Sequence, residues 1–206
     1  MSTRRFSQAI SEGDGISVIP VLAGDVERLA EAAEAGGAEA VALDTADVGR
    51  VRGRTALPII ARHGDPRTAS AAGADACILV YGAVADAGDE AEELYALAHE
   101  AGLDCAVEVR DEDELGSVLE RIDPDIVLIS ERELERDEED LERTLDLLAD
   151  VPAGKLVISE ARVVAREQVV ALERAGVDAV LVVGPAQGSD FSAALEELVH
   201  GSGAHH

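Results

Sequence analysis

The chain has 206 residues, of which 47% are apolar, and 43 acidic against 17 basic side chains give it a formal net charge of −26. This length and apolar content are sufficient for one substantial core. A surface of this charge repels phosphate backbones and anionic lipid, so the composition argues against nucleic acid and membranes as partners.

The basic residues are unusual in kind, because lysine occurs once, at Lys155, and the others are arginine. Many acidic residues, almost no lysine and abundant alanine resemble the proteins of salt-loving organisms, where high ionic strength screens self-repulsion. An acidic protein from a high-GC genome is the alternative interpretation.

The apolar segments predict eight short strands separated by helices. We expect one helical turn around Phe6 to Ile10, and for residues 44–55 a loop or at most a short irregular helix. The predicted strands are Ile16 to Leu22, Val41 to Leu43, Leu57 to Ala61, Ala76 to Val80, Asp104 to Val109, a strand ending at Ser130, Leu156 to Ser159 and a strand ending near Val183. The predicted helices are Val26 to Ala35, a short helix from Pro66, Asp89 to Ala101, Glu112 to Arg121, Leu141 to Ala149, Ala165 to Ala175 and Phe191 to His200.

One βα phrase recurs along the chain. RAGVDAVLVV at 174–183 has copies at 35–43 (AGGAEAVAL), 71–80 (AAGADACILV) and 101–109 (AGLDCAVEV). Strands separated by single helices run parallel, and eight such units predict an α/β fold, a single (β/α)8 TIM barrel, with a doubly wound open sheet as the alternative. We assign residues 1–14 to an N-terminal segment, 15–200 to the barrel and 201–206 to a tail or tag remnant.

The two cysteines, Cys77 and Cys105, fall inside predicted strands and are expected to be small buried hydrophobes in a reducing compartment. No signal peptide or long apolar span is recognisable, which favours a cytoplasmic protein. His63 has no second ligand at metal spacing, so neither a metal nor a cofactor is predicted.

The ends of the strands carry the candidate site, because ligands of both architectures bind at the carboxyl ends. Glu108 lies within an otherwise apolar strand, where an ionisable side chain is costly unless it is paired or used. Charged or polar residues also end other strands: Asp44, Arg62, His63, Arg132 and Glu160. Such a ring suits a small anionic metabolite and leaves a carboxylate for proton transfer, although an internal salt-bridge layer explains the same residues. Gly184, in the turn after the last strand, is a candidate for phosphate binding through backbone N–H groups.

These strand ends resemble indole-3-glycerol-phosphate synthase, a ribulose-phosphate-binding barrel enzyme of tryptophan biosynthesis. The similar phrases are LPIIAR at 57–62, VEVRDEDEL at 107–115, ISERELE at 129–135, LVISEARV at 156–163 and AGVDAVLVVG at 175–184. The resemblance implies a carbon–carbon lyase with catalytic glutamates at Glu108 and Glu160, and with Arg132 holding a substrate carboxylate.

The sequence departs from the family pattern at several of these positions. Arg62 replaces the strand-three lysine that acts as general acid, and Ser130 replaces the strand-six asparagine. The phosphate-binding Ser-Gly is Ala161-Arg162 here, and Gly184 fits the strand-eight glycine with a one-residue shift. The first strand has Val21 and Ala23 where the family has Glu-x-Lys, and its early start predicts a barrel without the N-terminal extension that helps cover the substrate.

Three hypotheses follow. The first is a barrel that has lost the lyase activity and binds an anionic small molecule, with Ser130, Arg132, Arg162 and Gly184 as ligand-binding residues, or binds a protein partner if non-catalytic. The second is a divergent lyase or isomerase with Glu108 and Glu160 as acid and base. Arg62 is then the third catalytic candidate, and the arginines bind the phosphorylated or carboxylated substrate. The third hypothesis is residual synthase activity.

The charge excess generates the first testable prediction. Raising potassium chloride from about 0.1 M to about 1 M shortens the Debye length from about 10 Å to about 3 Å, and should therefore raise the melting temperature. Thermal unfolding followed by circular dichroism measures the shift. A melting temperature that is flat or falls over this range would contradict the halophilic interpretation.

Overall fold

Eight parallel strands close into one barrel in the computed structural model, which describes residues 5–13, 15–84, 89–131, 141–183 and 191–200. The strands are β1 (Ser17–Val21), β2 (Val41–Leu43), β3 (Ile59–Ala61), β4 (Ala76–Val80), β5 (Asp104–Val109), β6 (Ile126–Ser130), β7 (Leu156–Glu160) and β8 (Ala179–Val183). Strand β1 pairs with both β2 and β8. This closure confirms the (β/α)8 barrel and excludes the open sheet.

Helices alternate with the strands and cover the outside of the barrel. They are α1 (Phe6–Ser11), α2 (Val26–Ala35), α3 (Thr45–Val51), α4 (Pro66–Ala72), α5 (Tyr81–Val84), α6 (Glu90–Glu100), α7 (Glu112–Arg121), α8 (Glu142–Leu148), α9 (Arg166–Ala175) and α10 (Phe191–His200). Three predicted strands and three predicted helices have the observed bounds, and most of the other elements differ by one or two residues at an end.

Two helices differ from the sequence prediction. Residues 45–51 form the regular helix α3, where a loop or a short irregular helix was expected. Its N-cap is Asp44, whose side chain accepts a hydrogen bond from the Ala46 N–H at 3.2 Å. This bond stabilises the start of the helix, whereas the glycines and arginines of residues 44–55 had favoured a loop. Helix α5 was not predicted, because four residues are too few for a periodic pattern.

Alternation along the strands divides the apolar side chains into two clusters, one inside the barrel and one between the barrel and the helices. The inner cluster contains Ile19, Ala42, Ile60, Ala76, Ile78, Ala106, Ile126, Leu128, Ile158, Ala179 and Leu181. The intervening strand residues, such as Val107, Val109 and Ile129, belong to the outer cluster with the helices. Whether a strand-end side chain points into the barrel or toward the helices therefore follows from its place in this alternation.

Helix α1 fills the amino end of the barrel. Its Phe6 and Ile10 are buried within the inner cluster. The Ser7 N–H donates to the Asp104 carboxylate at 2.8 Å, which fixes α1 at the first residue of β5. The predicted helical turn is thus confirmed, and it completes a core whose inner positions include several alanines.

Cys77 and Cys105 are buried, as predicted, and face each other in the register of β4 and β5. The hydrogen bond with Cys77, together with burial, raises the pKa of Cys105 well above its ordinary value. Both thiols are in the outer cluster, so they contribute as small hydrophobic side chains.

None of the helices within the described ranges is both long enough and apolar enough to cross a bilayer.

The position of α1 predicts that Phe6→Ala lowers the free energy of unfolding by about 3–5 kcal/mol, because it leaves a cavity among inner-barrel side chains. Urea unfolding measures the loss. Leu145→Ala is the control, since Leu145 is 41% exposed on α8 and its truncation should change stability little. A Phe6→Ala loss no larger than that of the control would show that α1 is not part of the core.

Candidate functional site

The carboxyl end of the barrel brings together four of the predicted site residues. Arg62 directly follows β3, and Glu108, Ser130 and Glu160 lie near or at the ends of β5, β6 and β7. Each occupies an inward-facing position in the alternation of its strand. Glu108 is in register with Leu128 of the inner cluster, and Ser130 is in register with Glu160. We call these four residues the mouth cluster.

A buried ion pair organises the mouth cluster. The Arg62 Nη2 donates to Glu160 Oε1 at 2.7 Å, and only 8% and 1% of the two side chains are exposed. The Ser130 hydroxyl donates to Glu160 Oε2 at 3.3 Å. Both oxygens of Glu160 therefore accept hydrogen bonds, which offsets the desolvation of a buried carboxylate.

Glu108 supplies the second buried carboxylate of the mouth. Its neighbours Val107 and Val109 pack outward, so alternation directs Glu108 toward the barrel interior, where it is 4% exposed. The mouth cluster thus combines two carboxylates, one guanidinium and one hydroxyl. Its formal charge is negative before any loop residue is counted.

The loops after β2 and β3 are joined at the rim. The Arg62 N–H donates to the Leu43 carbonyl at 3.0 Å, and the Thr45 hydroxyl donates to the His63 carbonyl. The His63 Nδ1 lies 3.4 Å from Asp44 Oδ2, and both side chains are more than half exposed. His63 and Asp44 therefore form a surface pair beside the mouth, and Asp44 also caps α3.

Arg162 follows β7 and is exposed, between two buried neighbours. Arg132 and Gly184, the other predicted ligand-binding residues, lie outside the described residues. The site predictions for these two positions stay predictions.

Lys155 lies at the opposite end of the barrel, immediately before β7. Its Nζ donates to Asp123 Oδ1 at 2.6 Å and to the Pro124 carbonyl at 2.8 Å. The chain's single lysine is consequently engaged at the amino end, as its sequence position indicated.

Two polar groups around the mouth were missed by the sequence analysis. Behind the ends of β6 and β7, Glu131, Thr144 and Ser159 form a buried hydrogen-bonded group. The signal was Ser159, a polar residue at an outward position in an apolar strand. Beside the end of β5, Arg110 donates from its backbone N–H to Glu114 Oε2 at 2.8 Å and from Nη2 to Oε1 at 3.0 Å.

Gly82 explains why that second pair fits. A Cβ at position 82 would lie 1.5 Å from the Arg110 Nη2, so the guanidinium occupies the space above the first turn of α5. Any side chain at this position would displace the ion pair.

Over the ranges that the structure describes, no cluster of three or more His, Cys, Asp or Glu side chains could hold a metal ion. The chemistry available to the mouth cluster is proton transfer by carboxylates and hydrogen bonding by the guanidinium and hydroxyl groups.

The Arg62–Glu160 pair predicts a large effect on stability. Arg62→Met leaves the Glu160 carboxylate buried without its cation, and should lower the free energy of unfolding by about 3–5 kcal/mol. Adding Glu160→Leu removes the stranded charge and should recover part of the loss. Chemical denaturation compares both variants with the parent.

The control for this prediction is Arg54→Met, because Arg54 and Glu31 form an ion pair at 3.5 Å with both side chains more than half exposed. Exposed pairs contribute little. Equal losses from Arg54→Met and Arg62→Met, or no recovery in the double variant, would contradict a buried pair.

Comparison with known proteins supports the resemblance seen in the strand ends. A family model described as indole-3-glycerol phosphate synthase matches residues 65–198. The chain is 30% identical over 168 residues to the indole-3-glycerol phosphate synthase of Shouchella clausii, covering 75% of this chain and 65% of that protein. It is 40% identical over 114 residues to the synthase of Acidithiobacillus ferrooxidans, covering 55% and 42%. The chain therefore spans less than two thirds of these relatives' lengths.

Solved structures share the fold at low sequence identity. A mutant tryptophan synthase alpha-subunit from Pyrococcus furiosus superimposes with a TM-score of 0.70 at 21% identity, covering 89% of this chain and 97% of that chain. An N-acetylmannosamine-6-phosphate 2-epimerase from Clostridium perfringens gives 0.66 at 19% identity, with coverage of 82% and 86%. These likenesses establish the barrel, and the family match over residues 65–198 establishes the lineage: this chain belongs to the indole-3-glycerol phosphate synthase family.

Proposed function

We propose that the mouth of the barrel binds a small molecule carrying a phosphate or carboxylate group, and that the family's ring-closing carboxy-lyase activity has been lost in this chain. The family membership supplies the first support, since the relatives are named for a phosphorylated compound. The second support comes from the described residues themselves.

The main support for the loss of activity is that Arg62 is buried and ion-paired. By the resemblance of the strand ends, Arg62 occupies the place of the lysine that acts as general acid. Its guanidinium is buried and engaged with Glu160 at 2.7 Å. Arginine stays protonated at all ordinary pH values and is a poor proton donor. Proton donation to a substrate from this position is therefore disfavoured both by the residue type and by its ion pair.

The position of Lys155 removes the obvious substitute. An amine engaged with Asp123 at the amino end of the barrel is separated from the mouth by the layers of the inner cluster. The loss of lyase activity thus follows from the absence of an amine at the carboxyl end, within the part of the chain that the structure describes.

Charge decides where the anionic group of the ligand binds. The mouth cluster has two glutamates and one arginine, so its floor repels an anion. Arg162 is exposed at the rim and is the described cation best placed for the phosphate or carboxylate. The uncharged part of the ligand then faces Ser130 and the glutamates.

A second candidate is a divergent lyase or isomerase, and it is favoured by Glu108. Glu108 and Glu160 are both buried carboxylates at the carboxyl end of the barrel, and two such groups can act as acid and base. Residual synthase activity is a third candidate, and the names of the sequence relatives favour it. Both are enzymatic, and the assay of indole-3-glycerol phosphate formation described below tests the third directly.

Ligand binding should raise the melting temperature. A ligand at about 100 times its dissociation constant stabilises the folded state by about 2.7 kcal/mol, or roughly 5–10 °C for a chain of this size. We expect this shift with inorganic phosphate, anthranilate or a phosphorylated ribose analogue, measured in molar salt. Arg162→Ala should abolish the shift, whereas Arg174→Ala, which removes an exposed arginine near the amino end of the barrel, should retain it. The absence of a shift with all three ligands would refute the proposed site.

The loss of activity is tested by assaying the formation of indole-3-glycerol phosphate. We expect no turnover by the unaltered protein and measurable turnover by Arg62→Lys, because an amine is then present beside Glu160. Arg62→Gln is the matched control that lacks both the amine and the charge, and it should stay inactive. Robust turnover by the unaltered protein would overturn the proposal and favour the third candidate.

A further inference from the structure

The outer surface of the barrel wall carries a buried polar group directly behind the mouth cluster. It consists of Glu131, Thr144 and Ser159, which we call the outer network. The Glu131 Oε1 accepts from the Thr144 N–H at 3.0 Å and from its hydroxyl at 2.6 Å. The hydroxyls of Thr144 and Ser159 are hydrogen-bonded at 3.1 Å. Glu131 is 6% exposed, and the other two residues are fully buried.

This group interrupts an otherwise apolar layer. The outward residues of the described strands, from Val18 on β1 to Val182 on β8, pack in the outer cluster with the helices, and Ser159 is the hydroxyl among them. Burying a carboxylate and two hydroxyls is unfavourable unless all are well placed. An apolar contact between α8 and the wall would stabilise the helix more simply, so the group points to a role beyond helix packing.

The two networks share one backbone. Glu131 follows Ser130, Ser159 precedes Glu160, and the Glu131 N–H donates to the Glu160 carbonyl at 3.3 Å. Consecutive residues of a strand face opposite sides, so the outer network and the mouth cluster are held by the same peptide units of β6 and β7. A shift of Glu131 or Ser159 moves Ser130 and Glu160.

We propose that Glu131, Thr144 and Ser159 are positioning residues of the mouth: they fix the ends of β6 and β7 so that Glu160 meets both Arg62 and Ser130. The role rests on the proposed function in one respect, because the mouth is taken as the ligand site. The geometric part, that the outer network sets the Arg62–Glu160 contact, is independent of any ligand.

A double-mutant cycle tests the geometric part. Thr144→Val keeps the side-chain shape and removes the hydroxyl, and Arg62→Met breaks the ion pair. If the outer network holds Glu160 in place, the two substitutions together lower the urea midpoint by less than the sum of the single shifts. Thr144→Ser keeps the hydroxyl, so its effect on the urea midpoint should add to that of Arg62→Met.

Thr55→Val is the matched control. The Thr55 hydroxyl donates to Glu34 Oε2 at 2.7 Å, and Thr55 is 8% exposed, but it precedes β3 at the amino end. Thr55→Val should also destabilise the protein, and its effect should add to that of Arg62→Met. Additive effects for Thr144→Val, equal to those of the control, would overturn the proposal even if the protein is destabilised.

Ligand affinity tests the functional part. With anthranilate as the probe, whose uncharged part would face Ser130 and the glutamates, Thr144→Val should weaken binding by about tenfold or more, since misplacing a binding group by a fraction of an ångström is costly. Thr144→Ser and Thr55→Val should bind as the parent does. Equal affinities for Thr144→Val and Thr55→Val would contradict a positioning role. If the parent does not bind anthranilate but the mutant cycle is non-additive, the proposed function is refuted and the positioning role of the outer network is supported.

Discussion

The structure depends on one constraint: side chains alternate in direction along each of the eight strands of a closed barrel. Closure gives every strand an inside and an outside, both of them buried. The inside is filled by alternating large and small side chains, and Phe6 and Ile10 from α1 complete it at the amino end. At the carboxyl end the same alternation turns Glu108, Ser130 and Glu160 inward and Glu131 and Ser159 outward.

Electrostatics at the mouth then follow from burial. The Arg62–Glu160 pair is almost excluded from solvent, so its two charges depend on each other and on Ser130. The sequence analysis left open whether the strand-end charges bind a substrate or form an internal salt-bridge layer. The buried pair belongs to the second description, and the ligand binding proposed for the mouth belongs to the first.

The proposed function depends most on Arg62, which by the resemblance occupies the place of a family lysine. A lysine in the same place would donate a proton or neutralise a carboxylate, while arginine retains only the second ability. On the proposed function, a barrel of the indole-3-glycerol phosphate synthase family keeps its glutamates and its fold after the step that needs an amine has been lost. Fold and family are retained more readily than a particular reaction.

By itself the sequence determined the repeat of eight βα units, nearly all strand and helix positions, and the residues at the strand ends, because apolar runs and their interruptions are local signals. It could not predict α5, which is too short for periodicity, or the regular helix α3, whose cap depends on one hydrogen bond of Asp44. Only the tertiary structure decided that α1 completes the inner core, that Arg62 pairs with Glu160 across 98 positions, and that Thr144 connects Glu131 to Ser159. These contacts join residues far apart in the chain, and the distances between such residues are set by the closure of the barrel.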